Sequence, residues 1–488
     1  MPASFVPSGA ELVRFLPEII LTVVATLVMV LEALTGGRAG RELGHLSLAG
    51  LAAALAAALV AGDNPGAAFS GMIVCDGFAT FFRLVVIAAG ILIVLCSGDY
   101  LRREGAEKGE YYALLLYSIA GQCVMVGANE LIVLFIGLEI SSISSYVLAG
   151  YLRADRRANE AAVKYFLLGS FATAFLLYGV ALIYGATGTT YLSGIRQALR
   201  VIEPPLPGLL VGASAALMFA GFAFKVSAAP FQVWAPDVYQ GAPTPVAAFL
   251  SAGPKAAAFA VFLRVFMTAF EPIVEQWQPI VWASALATMI IGNFAALLQS
   301  NLKRLLAYSS IAHAGYVMVA IAGHSNIGTA AVMFYLAAYV FMNVGAFAVV
   351  AYFSRQGERY LNVQDLAGLG ARQPVTAALL SIFLLSLIGV PLTGGFFGKF
   401  YIFKAALDAG LIWLTVLGLL NSAVAAYYYL RILVVMYMHE PGEATADLPP
   451  LGAALKTTLW SCALATLLLG IFPSLVLDYA GRSALLGR

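Results

Sequence analysis

Four ionisable side chains stand in apolar surroundings that tolerate charge poorly. Glu139 lies in Gly137-Leu-Glu139-Ile-Ser-Ser-Ile-Ser-Ser145, and Lys225 in Gly221-Phe-Ala-Phe-Lys225-Val-Ser-Ala-Ala-Pro230. Lys255 lies in Ser251-Ala-Gly-Pro254-Lys255-Ala-Ala-Ala258, and Lys399 in Gly394-Gly-Phe-Phe-Gly398-Lys399-Phe. A basic group at the centre of a membrane helix costs about 2.5–3.5 kcal/mol, so each needs a reason. The chemistry they could perform is proton carriage. Desolvation of an ammonium favours the neutral amine, and a neighbouring carboxylate restores the charge. A Glu–Lys pair that alternately joins and parts can therefore load and release a proton near neutral pH. The driving force is of suitable size, about 2.3 kcal/mol per charge per 100 mV. The competing structural reading is a static bridge from each lysine to a carbonyl freed by a broken helix.

Other polar residues carry weaker signals. Lys164 opens the span after Glu139 and either pairs with it or snorkels at the membrane edge. His313 has an intrinsic pKa suited to a relay, or it is a hydrogen-bonded structural histidine. Arg431 keeps its proton and can only tune its neighbours. Glu32, Asp76 and Arg83 read as packing or interface charges. Cys75, Cys96, Cys123 and Cys462 form no CxxC pair, and His45, His313, His324 and His439 are scattered, so no metal, haem or iron–sulfur site is expected. No GxGxxG is present, and Gly398-Lys399 lacks the first glycine and the Ser/Thr of a phosphate loop. Redox or nucleotide chemistry must belong to partner chains.

The elements that position these residues are membrane spans. Of 488 residues, 61% are hydrophobic and 11% charged, against about 25% charged in soluble proteins. A net charge of +2 disfavours nucleic-acid binding. Apolar runs predict an all-α integral membrane protein with about fourteen spans: 15–34, 44–62, 73–97, 111–127, 130–151, 161–185, 208–239, 246–270, 279–298, 303–323, 327–353, 374–408, 411–438 and 453–479. Loops after odd-numbered spans hold thirteen Lys and Arg residues, whereas those after even-numbered spans hold only Arg196 and Arg200. The positive-inside bias puts the odd loops in the cytoplasm and both termini on the periplasmic side of a bacterial inner membrane.

Spans seven and twelve are overlong and interrupted, by Pro230 in one and by Gly389, Pro391, Gly394 and Gly395 in the other. Interrupted spans at matching places in two halves point to a transport site. Lys225 and Lys399 lie 174 residues apart, Lys255 and Arg431 176, and two Ser-Ser-Ile triplets 168. Five spans per half would make two inverted repeats, 111–270 and 279–438, after N-terminal helices in 1–110 and before a last helix in 453–488.

At these residues the chain resembles the antiporter-like subunits of respiratory complex I, the proton-translocating NADH:quinone oxidoreductase. The most characteristic stretches are Phe224-Lys225-Val-Ser-Ala-Ala-Pro230-Phe-Gln-Val-Trp234-Ala-Pro-Asp237-Val-Tyr-Gln-Gly241-Ala-Pro-Thr-Pro245 and Pro391-Leu-Thr-Gly-Gly-Phe-Phe-Gly-Lys399-Phe-Tyr. The resemblance covers essentially the whole chain. It implies Glu139 and Lys225 as input pair, Lys164 as modulator, Lys255 as connector and Lys399 as terminal site. It implies no cofactor in this chain, with FMN, iron–sulfur clusters, NADH and quinone in partner subunits. The expected neighbours are lipid, subunit M and the small membrane subunits. Lys399 disfavours subunit M, whose relatives usually carry glutamate there, and the short C-terminus disfavours subunit L. Gln232 stands where many relatives have histidine and cannot titrate. Two other readings remain open: a subunit of a multi-subunit sodium/proton antiporter, and a structural membrane scaffold.

Overall fold

The chain was analysed as a computed structural model that describes residues 6–201, 206–446 and 448–484. The extreme ends, 1–5 and 485–488, lie outside the described residues. The first part of the chain forms α1 (Gly9–Arg14), α2 (Leu16–Thr35), α3 (Gly40–Gly62), α4 (Gly77–Arg103), α5 (Gly109–Gly127), α6 (Leu131–Ala149) and α7 (Arg156–Thr187). A short antiparallel ribbon of β1 (Gly66–Ala68) and β2 (Ile73–Cys75) joins α3 to α4. Next come α8 (Leu192–Leu199), α9 (Leu206–Val226), α10 (Trp234–Gly241), α11 (Thr244–Arg264), α12 (Val274–Leu297), α13 (Leu302–Ala322) and α14 (Asn326–Phe353). The remainder forms α15 (Leu369–Arg372), α16 (Pro374–Ile388), α17 (Gly394–Asp408), α18 (Ile412–Met438), α19 (Ala453–Ile471) and α20 (Ser474–Ser483).

Among the described residues, twelve helices are long and apolar enough to cross a membrane. The other two predicted spans are α5 and the pair α16–α17. Tyr111, Tyr112, Ser118 and Gln122 lower the hydropathy of α5. The helices α16 and α17 have 15 residues each, about 22 Å and too short to cross alone. Lipid-facing rows are evident on outer helices, for example Val23, Leu27, Val30 and Leu34 on α2 and Phe171 and Phe175 on α7. By contrast, α11, α13 and α14 are buried along almost their whole length. These three form the centre of the bundle.

Both predicted breaks are real. At the first, Ser227 takes a left-handed φ of 62° between α9 and α10. The loosened backbone finds side chains instead of water. Trp234 Nε1 donates to Phe224 O at 2.9 Å, and Ala229 N donates to Thr288 Oγ1 at 2.8 Å. At the second, Gly389 (φ 94°) and Leu392 (φ 69°) turn the chain between α16 and α17. A Cβ on Gly395 would fall 1.8 Å from Ser386 O, so only glycine permits this close approach.

Buried ion pairs fasten the bundle. Arg83 and Glu18, 0% and 1% exposed, meet at 2.7 Å between α4 and α2. Arg264 takes both oxygens of Asp76 at 2.9 Å, and Glu32 accepts from Gly109 N at 2.9 Å. These contacts agree with the packing role expected for Glu32, Asp76 and Arg83. One knot was not expected. Lys303, counted from sequence among the basic loop residues, folds inward to pair with Glu358 at 2.7 Å, their side chains 0% and 7% exposed. Lys303 Nζ also donates to Ala242 O at 2.5 Å. Glu358 Oε1 accepts from Tyr100 OH at 2.8 Å, from Thr244 N at 2.9 Å and from the Thr244 hydroxyl. Burial alone would raise the Glu358 carboxyl, but Lys303 and these hydrogen bonds outweigh it and hold it below the usual carboxylate range.

Two outcomes follow. Arg83→Met leaves Glu18 buried and unpaired, which should cost about 3–5 kcal/mol, and Glu18→Leu with Arg83→Met should recover most of it. Thermal unfolding of the detergent-purified protein reads both. Glu358 has a lowered folded pKa, so its contribution is present above about 4.3, the unfolded value, and is lost as pH falls through the folded one. Glu358→Gln should therefore lower the neutral-pH melting temperature and flatten the decline in stability below about pH 4.

Candidate functional site

One face of α13 carries Ser310, His313 and Tyr316, spaced by three residues and so stacked along one side of the helix. Pro254, inside α11, removes a backbone donor beside Lys255. Lys255 is 3% exposed, and its ammonium reaches Ser310 Oγ at 2.5 Å and Ser310 O at 3.1 Å. One turn along, His313 Nδ1 meets Tyr335 OH and its Nε2 meets Tyr429 OH at 3.2 Å. One further turn along, the Tyr316 ring lies 4.8 Å from Lys399 Nζ. Lys399 is 6% exposed. It donates to Ile388 O and to Ser422 Oγ, both at 2.8 Å. Ile388 is the last residue of α16, so the break supplies an acceptor. The structure thus brings Lys255, His313 and Lys399 together along α13.

In the first half, Lys225 sits at the end of α9 and donates to Ser142 Oγ at 2.7 Å and Tyr146 OH at 3.3 Å. The rings of Tyr146, Tyr165 and Phe224 surround it at 5.2–5.8 Å. Beside Ser142 runs a buried cluster of hydroxyls. Ser118 Oγ meets Ser141 Oγ at 3.1 Å and Ser145 Oγ at 3.3 Å, and Gln122 Nε2 donates to Ser118 Oγ at 3.2 Å. Gln122 Oε1 lies against Gly253, where an added Cβ would come within 2.7 Å. Gly253 is two residues before Lys255. A polar seam therefore runs from Lys225 through α6 and α5 to α11.

Glu139 is one turn from Ser142 on α6, half-buried, and its Oε1 is buried without a partner. No ion pair joins it to Lys225 or Lys164 among the described residues. Lys164 instead pairs with Glu160 at 2.7 Å and Asp237 at 2.9 Å. Asp237 in turn binds Arg304 at 2.7 Å, and Arg304 reaches Gln240 Oε1 at 3.0 Å. Asp237 is a carboxylate shared between α7 and α13. Sequence reasoning missed this role, although Asp237 lies in the characteristic stretch after the first break. Arg431 stands apart from the lysines. Its guanidinium caps α12 through Leu297 O at 3.2 Å and Gln299 O at 2.5 Å. Gln232 is 8% exposed and its Oε1 has no partner.

Residues 128–425 match the family described as NADH:quinone oxidoreductase/Mrp antiporter, transmembrane. The chain is 65% identical over 484 residues to NADH-quinone oxidoreductase subunit N 1 of Solibacter usitatus, covering 99% of each. The chain belongs to the subunit N family of NADH:quinone oxidoreductase. Its fold agrees. A chain of respiratory complex I from Thermus thermophilus superposes with a TM-score of 0.82 at 35% identity, over 95% of this chain and 99% of that one. A chain of the Mrp complex from a Dietzia species superposes at 0.85 with 23% identity, over 96% and 97%, which shows a shared fold. The chain is a proton-translocating, multi-pass membrane subunit.

Proposed function

We propose that Glu139, Lys225, Lys255 and Lys399 form a lateral proton relay, with His313 as the link between the last two. Glu139 and Lys225 are the input pair, Lys255 the connector and Lys399 the terminal site. Lys164, held by Asp237 and Glu160, modulates the input pair. The observation that carries this reading is the row Ser310–His313–Tyr316 on α13, which puts polar groups between Lys255 and Lys399 at helical-turn spacing. Hydroxyl groups suit the task because they donate and accept, so they hold an ammonium or a neutral amine. Arg431 takes no part beyond fixing the end of α12.

In this reading 111–270 and 279–438 are inverted repeats, and each break turns its lysine toward the shared seam. The basic loops face the cytoplasm and both termini the periplasm of a bacterial inner membrane. The chain sits in the membrane arm beside a subunit M-type neighbour and the small membrane subunits. Partner subunits hold NADH, FMN, the iron–sulfur clusters and quinone, and their electron transfer drives the relay.

The test is NADH-driven proton uptake by vesicles carrying the assembled complex. A positioned proton carrier contributes roughly 10²–10⁴-fold to transfer, so Lys225→Ala or Glu139→Ala should cut pumping by at least about tenfold. Assembly should be retained. Normal pumping in assembled variants would favour a scaffold role, and sodium transport by the chain alone in liposomes would favour an antiporter.

A further inference from the structure

The Lys303–Glu358 pair is buried and titratable, yet the relay above does not use it. Three observations give it a direction. First, Glu358 also lines a cavity of about 780 Å³ at the basic end of the bundle, with Glu104, Lys108, Glu110, Asp155 and Gly357 among its walls. The pair is thus in reach of water on one side. Second, Lys303 and Ser310 are seven residues apart on α13, about two turns and 10 Å on one helix face. Thr244, which donates to Glu358, lies eleven residues before Lys255 on α11, about three turns. The same two helices therefore link the sites: α13 carries Lys303 near the cavity and Ser310 deeper in the bundle, and α11 carries Thr244, which holds Glu358 from the turn after α14, and Lys255.

Third, the space between them holds buried polar atoms that lack partners. Asn343 Nδ2 donates to Ser251 Oγ at 2.6 Å, but Asn343 Oδ1 is buried and unpartnered. Ser251 is one turn from Lys255 on α11, and Asn343 is one turn from Tyr339 on α14. The hydroxyls of Tyr239 and Tyr339 lie against Ser310, and both are buried without a hydrogen bond of good geometry. An unpartnered buried polar atom costs about 1–3 kcal/mol. Asn343 Oδ1, one turn from Tyr339, and the two hydroxyls at the Ser310 site that holds Lys255 call for bridging water. Ala247, Ala248 and Ala307 are among the buried residues of the intervening turns.

We propose that Lys303 and Glu358 form a proton-uptake station that draws from the cavity at the basic face and feeds Lys255. The inference rests on the relay reading of Lys255. When Lys255 is a neutral amine, the Lys303 ammonium passes its proton along the Ser251–Asn343 column to it. Lys303 becomes a neutral amine, and Glu358 is left a buried carboxylate with no counter-charge. It then takes a proton from the cavity and hands it to Lys303, which restores the ion pair. One proton enters, one reaches Lys255, and no charge accumulates at the pair.

The decisive variant is Lys303→Arg, measured in the assembled complex in vesicles beside Lys255→Met and Glu358→Gln. Arginine keeps the ion pair with Glu358 but cannot release a proton. Lys303→Arg should assemble with a melting temperature no lower than wild type and pump at least about tenfold less than wild type. Glu358→Gln keeps an acceptor for Tyr100 and Thr244 and should show the same loss. Wild-type pumping in Lys303→Arg would make the pair a brace and overturn the proposal, as would failure of both variants to assemble. Lys255→Met separates the two readings. If it pumps normally, the relay itself falls. If it is inactive while Lys303→Arg is normal, only the uptake station falls.

Discussion

The structure depends on what an ammonium group can touch once it leaves water. Lys225, Lys255 and Lys399 are held by oxygens that carry no charge. Their partners are Ser142 and Tyr146, Ser310, and Ile388 O with Ser422. A carboxylate would hold the charged form strongly and make the proton hard to remove. Neutral oxygens satisfy the hydrogen-bonding need without fixing the protonation state. The price of this arrangement is weak binding of the charge, so the surroundings must be rigid.

That rigidity comes from the central helices and from the breaks. With α11, α13 and α14 almost wholly buried, the side chains of Ser310 and His313 cannot turn toward lipid. The interruption after Ile388 supplies a carbonyl that an intact helix would have consumed. The interruption after Val226 does the opposite. Its freed groups are taken by Trp234, Thr288 and Ser284, which leaves Lys225 to the hydroxyls of α6. The two halves therefore use the same kind of break for different purposes.

Much of this was legible in the sequence because membrane spans have a simple physical signature. Long apolar runs marked the helices, and Pro230 and Gly389 marked the breaks. Lysines in the middle of such runs marked the candidate site. What could not be read was where long side chains at the edges would turn. Lys164 was expected either at Glu139 or at the membrane edge; it is partly exposed and pairs with Asp237 and Glu160. Arg431 matched Lys255 in spacing, yet it caps α12. Lys303 counted toward the basic loops, and it is wholly buried with Glu358, 55 residues away in sequence. Hydropathy records how much charge a segment carries, whereas these contacts depend on which helix lies alongside. The same limit applies to α5, whose tyrosines and Gln122 are polar because they face protein, not lipid.

The division of labour between the two basic residue types is itself informative. Arginine never gives up its proton in a protein, and here Arg83, Arg264 and Arg304 sit in carboxylate pairs while Arg431 caps a helix. The fixed positive charges thus hold parts together. Among the described residues the buried lysines are Lys255, Lys303 and Lys399. Two of them lie in the row of neutral oxygens, where the proposed relay requires a group that can lose a proton. Lys303 is the exception among the buried lysines, bound to a carboxylate as Arg83 and Arg264 are. If bracing were its whole task, the planar fork of an arginine would make more hydrogen bonds to Glu358 and stay charged. A residue that can become neutral has been placed where a fixed charge would bind more tightly, on the helix face that leads to Lys255.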